Sequence, residues 1–193
     1  LEKICKTNTD IYLLVELAWA HFDTHGRIPA KLMSQLQDTW RSLTCPKKIA
    51  FGGYQIGLLY LKNDDPALAQ TFFSTCALQT QLLTKIDLAR LSFAQSKALA
   101  KLGNLEDAAK FARMSLALFE LAYKMECAQI AKVLEHIGEL ENNLFPTEQA
   151  FQVYKTCDCE KDIERVAKKL TAKFSTLNKF DKFLLYKQFI KSS

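Results

Sequence analysis

Apolar residues recur at the three- and four-residue intervals of an α-helix along almost the whole chain, and no clean two-residue alternation appears. Short breaks cut this pattern into segments. Thr9 and Asp10 are suited to cap a first helix that runs to about residue 24, and His25-Gly26 ends it. Further breaks lie at Pro29, Pro46, Asn63-Asp64-Asp65-Pro66, Gly103-Asn104 and Pro146. Because the links are short, consecutive helices are expected to pack antiparallel.

A spacing of twelve residues between small residues occurs four times along the chain. The pairs are Ala18 and Ala30, Gly57 and Ala69, Ser96 and Ala108, and Gly138 and Ala150. Their second members lie 39, 39 and 42 residues apart. Small residues at a fixed internal spacing mark places where two helices approach closely in every copy, so the chain is expected to be a helical repeat array.

The predicted architecture is all-α, a right-handed α-solenoid of antiparallel helical hairpins with a C-terminal helical cap. Four hairpins are expected within residues 1–157, over about 10–43, 47–82, 85–123 and 127–157. Residues 158–193 lose the repeat register and are expected to form two basic capping helices, since terminal repeats are commonly atypical.

The residues inside each copy resemble a tetratricopeptide repeat (TPR). Ile56-Gly57 and Tyr60 match the first helix of such a repeat, and Ala69 and Phe73 match the second. Gly138 with Ala150 and Tyr154 is similar, as are the segment 99–108 and Leu17-Ala18 with Ala30. The residues expected to pack the repeats together are Ala18, Ala30, Gly57, Tyr60, Ala69, Phe73, Gly103, Ala108, Gly138 and Ala150.

The period departs from the commonest TPR length of 34 residues. Here it is 39 to 42 residues, which resembles the longer repeats of bacterial regulators and of the sensor arms of signal-transduction ATPases. The resemblance therefore implies an interaction module, acting as the scaffold or sensor arm of a larger protein.

In this family the first helix of each hairpin lines an inner surface on which ligands lie. The resemblance places there Tyr12, Trp19, Phe51, Tyr54, Leu58, Arg90, Phe93, Lys97 and Lys101, followed by Lys132, Glu135 and Glu139. Rings beside cations suit an acidic peptide with apolar anchors. The alternative is that the rings belong to the core and the cations to a solvated face. The Lys and Asn arrangement with which chaperone-binding members clamp a terminal carboxylate is not visible.

Composition supports a globular protein, with 49% apolar and 24% charged residues among 193. No apolar run is long enough for a transmembrane helix and no signal peptide is recognisable, and the scattered cysteines favour the reducing cytoplasm as the location. The chain begins at Leu1, so it is expected to be a fragment of a longer protein or a chain from which a leader has been removed. Six cysteines lie scattered through helical pattern and are expected to be reduced, with Cys76 and Cys157 serving as small apolar residues.

The positive charge is concentrated at the C-terminal end. Residues 160–193 carry nine Lys/Arg and four Asp/Glu, a net charge of +5 that equals the value for the whole chain. The cations between Lys161 and Lys191 alternate with Phe174, Phe180, Phe183 and Tyr186. Cations and stacking rings make nucleic-acid contact through this tail an alternative function.

No enzyme, cofactor or metal site is predicted. His21 and His25 lie one turn apart without the H-E-x-x-H pattern, and Cys157-x-Cys159 has no second pair of ligands. Gly52-Gly53 lies inside a predicted helix and is attributed to close packing. A further alternative is a receptor for a short signalling peptide that regulates an attached effector domain.

Overall fold

The computed structural model describes residues 10–123 and 127–190, except for the side chain of Thr80. Within these ranges the chain is all-α, as predicted, and a single 3-10 turn at Thr80–Leu82 interrupts the succession of α-helices. The helices are α1 (Ile11–His25), α2 (Ala30–Arg41), α3 (Pro46–Lys62), α4 (Pro66–Ala77), α5 (Lys85–Lys101), α6 (Leu105–Ala122), α7 (Ala128–Leu140), α8 (Leu144–Thr156), α9 (Glu160–Thr176) and α10 (Phe180–Lys187). Thr9, Cys5 and Lys191, which the sequence analysis used, lie outside the described residues.

Local chemistry at the breaks explains where these helices begin and end. Asp10 accepts a hydrogen bond from the backbone N–H of Tyr12 at 3.3 Å, which satisfies a free donor at the start of α1. Gly26 ends that helix with φ of 68°, a left-handed conformation that glycine adopts without a steric penalty. A capping box of Thr84 and Asp87 begins α5.

Two predicted boundaries are displaced. Helix α8 begins at Leu144, two residues before Pro146, because Asn143 accepts from the backbone N–H of Phe145 at 3.0 Å and caps the helix there. Pro29 occupies the N-cap position of α2, so Ala30 is the first helical residue.

The chain forms two compact units, Leu1–Asn104 and Leu105–Ser193. The first unit holds α1 to α5, and α3 packs against α1, α2, α4 and α5 within it. Its core includes Leu36, Ile56, Leu59 and Phe73, all fully buried.

Most of the predicted packing residues in the first unit lie where helices meet. Ala18 and Ala69 are fully buried, and a Cβ atom on Gly57 would lie against the ring of Phe73, which explains the missing side chain. Tyr60 is half-buried and stacks on Phe72 with ring centroids 5.6 Å apart.

Two residues that were predicted to pack between helices are exposed to solvent instead. Ala30 is exposed, because Pro29 takes the cap and leaves Ala30 in the open first turn of α2. Gly103 is also exposed, and its φ of 80° shows that it turns the chain after α5 rather than packing helices together.

The second unit holds α6 to α10, packed in sequence as α6 on α7, α7 on α8, α8 on α9 and α9 on α10. Ala108 and Ala150 are fully buried, as expected of packing residues. Gly138 lies so close to the side chain of Thr147 and the carbonyl of Asn143 that a Cβ atom would collide with them. No helix of the described residues has both the length and the apolar character needed to cross a membrane.

Candidate partner-binding surface

A cavity of about 410 Å³ opens in the first unit, between α3, the link that follows α4, and α5. Its polar rim is formed by Lys47, Asp87 and Arg90. Its apolar lining is formed by Ala50, Phe51, Cys76, Leu82, Leu83 and Leu91. Open cavities with an apolar lining and a few charged groups are the usual form of a binding pocket.

The structure brings together three of the predicted groove residues at this cavity. Phe51 and Tyr54 lie on α3, and Arg90 lies on α5 within its first two turns. Lys47 and the leucine pair Leu82-Leu83 also line the cavity and were not predicted from the sequence. Two adjacent leucines in an otherwise polar link were the signal that could have shown them, although only the fold places them beside α3.

The predicted aromatic residues of α1 extend this surface. The ring of Tyr12 lies 4.5 Å from that of Phe51, centroid to centroid, and is partly exposed. Trp19 is half-buried and donates a hydrogen bond from Nε1 to Oε1 of Gln55 at 3.0 Å. Gln55 also lines the cavity, so Trp19 of α1 is joined by this hydrogen bond to a residue of the cavity lining.

The four remaining groove residues do not line the cavity. Leu58 is half-buried and packs against the core cluster that contains Phe73. The ammonium group of Lys97 lies 4.1 Å from the ring centroid of Phe93. Lys101 forms an ion pair with Asp64 at 2.5 Å.

Arg90 is the predicted cation that faces the cavity. Its guanidinium lies 3.9 Å from the carboxylate of Asp87, the residue that also caps α5. Burial raises the pKa of Tyr54, and the nearby positive charge of Arg90 partly opposes that rise. Tyr54 therefore presents a neutral hydroxyl near a cation at neutral pH.

The floor of the cavity contains a thiol in its unreactive form. Cys76 donates a hydrogen bond to the backbone carbonyl of Ala50 at 3.3 Å. Burial raises the pKa of Cys76 to about 12, so the thiol stays protonated at neutral pH. A protonated, buried thiol is a packing group rather than a nucleophile.

In the second unit, the predicted inner-surface residues of α7 are largely engaged by α9. Arg165 donates to both carboxylate oxygens of Glu135, at 2.6 and 2.9 Å. Lys169 reaches Glu135 at 3.5 Å and also pairs with Glu139. Lys132 is exposed. The acidic residues of α7 therefore hold α9 in place.

The basic C-terminal helices offer less to a nucleic acid than their composition indicated. Phe174 and Tyr186 are buried and stack with ring centroids 5.7 Å apart. Lys182 pairs with Glu148 at 2.7 Å, and Phe183 is half-buried. Among Phe174, Phe180, Phe183 and Tyr186, Phe180 alone is largely exposed.

Comparison with known proteins identifies the fold. No family model matches the chain, and no curated protein matches it either. Two of the solved structures that resemble it each have a TM-score of 0.69 over 93% of this chain. One contains nearly identical TPR-like repeats attributed to a kinesin light chain of Podosopora anserina, at 9% identity over 92% of that chain. The other is BtubC (BKLC) from P. vanneervenii, at 15% identity over 78% of that chain. The chain thus has a TPR-like repeat fold of sequential helical hairpins.

Proposed function

We propose that this chain is a protein-interaction module that binds a peptide or a partner helix along α1, α3 and α5 of the first unit. The observation that carries the proposal is the cavity of about 410 Å³ between α3 and α5, which an apolar side chain of a partner can fill. TPR-like repeats are generally interaction modules, which supports the same assignment.

The chemistry of the rim favours a partner that carries negative charge beside its apolar anchor. Lys47 and Arg90 line the cavity together with Leu82, Leu83 and Leu91. A carboxylate of the partner would compete with Asp87 for the guanidinium of Arg90, whose 3.9 Å separation from Asp87 is long for an ion pair. The apolar lining would bury the anchor at the same time.

In the cell, such a module would act as the scaffold or sensor arm of a larger protein. The long repeat, which resembles those of bacterial regulators and signal-transduction ATPases, supports this role. If the partner is a short signalling peptide, its binding would regulate an attached effector domain.

The experiment is a selection of displayed random peptides on the intact 193-residue chain, followed by affinity measurements on the enriched sequences. We expect enriched peptides to combine Asp or Glu with a large apolar residue. The variant Lys47→Glu/Arg90→Glu should then lose about tenfold or more in affinity, because two attractive charges become repulsive. The matched control is Lys31→Glu/Lys62→Glu, which makes the same change of charge at exposed positions outside the cavity lining.

Retention of affinity by the cavity variant, or equal losses in both variants, would refute the assignment to this surface. A parallel titration with single-stranded nucleic acid tests the alternative. Tight binding that falls steeply with salt and is lost on Lys173→Glu/Lys179→Glu would move the functional surface to α9 and α10.

A further inference from the structure

We propose that His21 and His25 of α1 form a two-ligand site for a divalent transition-metal ion such as Zn²⁺, which binds through the Nε2 atoms of both rings. None of the residues that line the cavity between α3 and α5 belongs to this site. The inference rests on the spacing of the two histidines, on the contact between their rings and on the hydrogen bonds of their Nδ1 atoms.

The two imidazoles lie beside each other on one face of α1. Residues four apart on an α-helix are neighbours on the same face, one turn apart. The ring centroids of His21 and His25 are 4.3 Å apart, and the ring planes are inclined by 31°. Two imidazole nitrogens that bind one tetrahedral zinc ion are about 3.3 Å apart. Rings at the observed separation can therefore bind the same ion after small side-chain rotations.

The hydrogen bonds of the two rings determine which nitrogen is available to a metal. Nδ1 of His21 lies 3.1 Å from the carbonyl oxygen of Arg27, and Nδ1 of His25 lies 3.3 Å from that of His21. Because a carbonyl oxygen can only accept, each Nδ1 must carry the proton when its ring is neutral. The lone pair then lies on Nε2, and neither Nε2 has a hydrogen bond with another described residue.

Metal-ligating histidines usually have this arrangement. A histidine that binds a metal through one ring nitrogen commonly donates the other N–H to a carbonyl or a carboxylate, which fixes the tautomer and the ring orientation. Both His21 and His25 have such a carbonyl. No metal site was predicted from the sequence because the H-E-x-x-H pattern is absent, and the Nδ1 hydrogen bonds are the feature that spacing alone could not show.

The position of the pair at the end of α1 also favours a cation. His25 is the last residue of α1, and the free carbonyl groups at a helix C-terminus carry partial negative charge. Asp23 and Arg27 are both exposed, and their opposite charges leave residues 21–27 formally neutral. The helix end is therefore not outweighed by a net positive charge in its own segment.

The number and type of ligands define the class of metal. Among the described residues, no three His, Cys, Asp or Glu side chains are grouped so that they could hold a metal ion, so the two histidines act as a pair. Imidazole nitrogens suit Zn²⁺, Cu²⁺ and Ni²⁺, whereas Mg²⁺ and Ca²⁺ require oxygen ligands. Water would occupy the remaining positions, as it does at the open position of catalytic zinc sites.

Nuclear magnetic resonance of the intact chain with ¹⁵N-labelled histidine tests the proposal. It observes the ring nitrogens directly, so Zn²⁺ bound by cysteines does not interfere with the readout. At about pH 8, where imidazole is neutral, both rings should show the tautomer with the proton on Nδ1. Addition of Zn²⁺ up to roughly millimolar concentration should then shift both Nε2 resonances along the same titration curve.

Substitution of either ligand separates a shared site from two independent ones. His21→Gln and His25→Gln each leave a single histidine, whose affinity for Zn²⁺ should fall about tenfold or more. The matched control is Asp23→His/His25→Gln, which keeps two histidines in α1 but places them two residues apart, on different sides of the helix. It should bind Zn²⁺ as weakly as the single variants. Far-ultraviolet circular dichroism establishes that every variant is folded.

Three results would overturn the proposal. Histidine rings that do not respond to Zn²⁺ would show that no such site exists. Equal affinity of the wild type and the Asp23→His/His25→Gln control would mean that exposed imidazoles bind the ion one at a time. Protons on Nε2 in both rings would place the lone pairs on Nδ1, against the carbonyl groups, where a metal ion could not displace them without breaking the observed arrangement.

Discussion

Helix α3 in the first unit and α7 in the second were both expected to line an inner binding surface, yet their surroundings differ. The polar and aromatic face of α3 borders an open cavity, with Phe51 and Tyr54 on its wall. The corresponding face of α7 is engaged, because Arg165 of α9 binds Glu135 with both oxygens of the carboxylate. The chemistry of a helix face therefore depends on which side chains the following helices bring to it.

The ion pair on α7 is asymmetric in its exposure. The side chain of Glu135 is 11% exposed, whereas that of Arg165 is 50% exposed. Folding has thus removed the carboxylate from water and left the guanidinium partly hydrated. The carboxylate depends on its partners much more than the guanidinium does.

The largest expected effect comes from removing the cation. Arg165→Ala should lower the free energy of unfolding by about 2 kcal/mol, because Glu135 would keep only the longer contact to Lys169. Urea denaturation, followed by circular dichroism, measures the change.

Lys168→Ala is the matched control, since Lys168 pairs with Glu164 one turn away on the same exposed surface. Its cost should stay within about 0.5 kcal/mol. Equal effects of the two substitutions would mean that the α7 face is as open to solvent as the α3 face.

A second comparison concerns the glycines that bring helices together in each unit. Gly138→Ala should lower the free energy of unfolding by about 1–2 kcal/mol, because the new Cβ would meet the carbonyl oxygen of Asn143 at 2.9 Å, and backbone moves aside only at high cost. Gly57→Ala should cost less, since the neighbouring group is the side chain of Phe73. Thermal unfolding of both variants shows which substitution lowers the stability more. Without these contacts, alanine would instead stabilise a helix by about 0.5–1 kcal/mol, so a gain in stability would refute the packing argument.

The smallest effect, over the first pH unit in which it appears, is a loss of stability in alkaline solution. Burial raises the pKa of Cys76 from its ordinary value of 9 to about 12. Above pH 9 the unfolded state loses this proton while the folded state keeps it, so the first unit should lose about 1.4 kcal/mol per pH unit between these values. In the second unit, burial raises the pKa of Tyr154 and Tyr186 from an ordinary value of 10. The second unit should therefore begin to lose stability at pH 10, one unit higher than the first unit.

Urea titrations between roughly pH 8 and pH 11 measure this dependence. Cys76→Ala should flatten the slope that begins at pH 9 without removing the one that begins at pH 10. An unchanged slope in this variant would show that another group titrates in that range.

The fold was predictable because its signals are local. Asp10, Gly26, Pro46 and the Thr84–Asp87 pair mark helix ends through contacts within a few residues. The repeated small residues predicted close helix contacts, and Gly57 and Gly138 make them. The prediction that Ala30 packs between helices was wrong, because Pro29 occupies the N-cap and makes Ala30 the first residue of α2.

The site was predictable only in part, because its formation depends on contacts between distant segments. Phe51, Tyr54 and Arg90 were expected on the surface and line the cavity, but Leu82 and Leu83 complete it from a link that showed no periodicity. Glu135 and Arg165 are 30 residues apart, and no spacing rule connects them. Sequence pattern identified the faces of the helices but not what covers each face.

Hydrogen exchange with a bound peptide tests most directly whether the cavity between α3 and α5 is the binding site. The intact chain would be saturated with a peptide from the selection, and amide exchange would be read by mass spectrometry. Slower exchange should be confined to the first unit, in α3, residues 79–83 and α5. Protection located in α7 to α10, with none in α3 or α5, would contradict the claim and place the binding surface in the second unit.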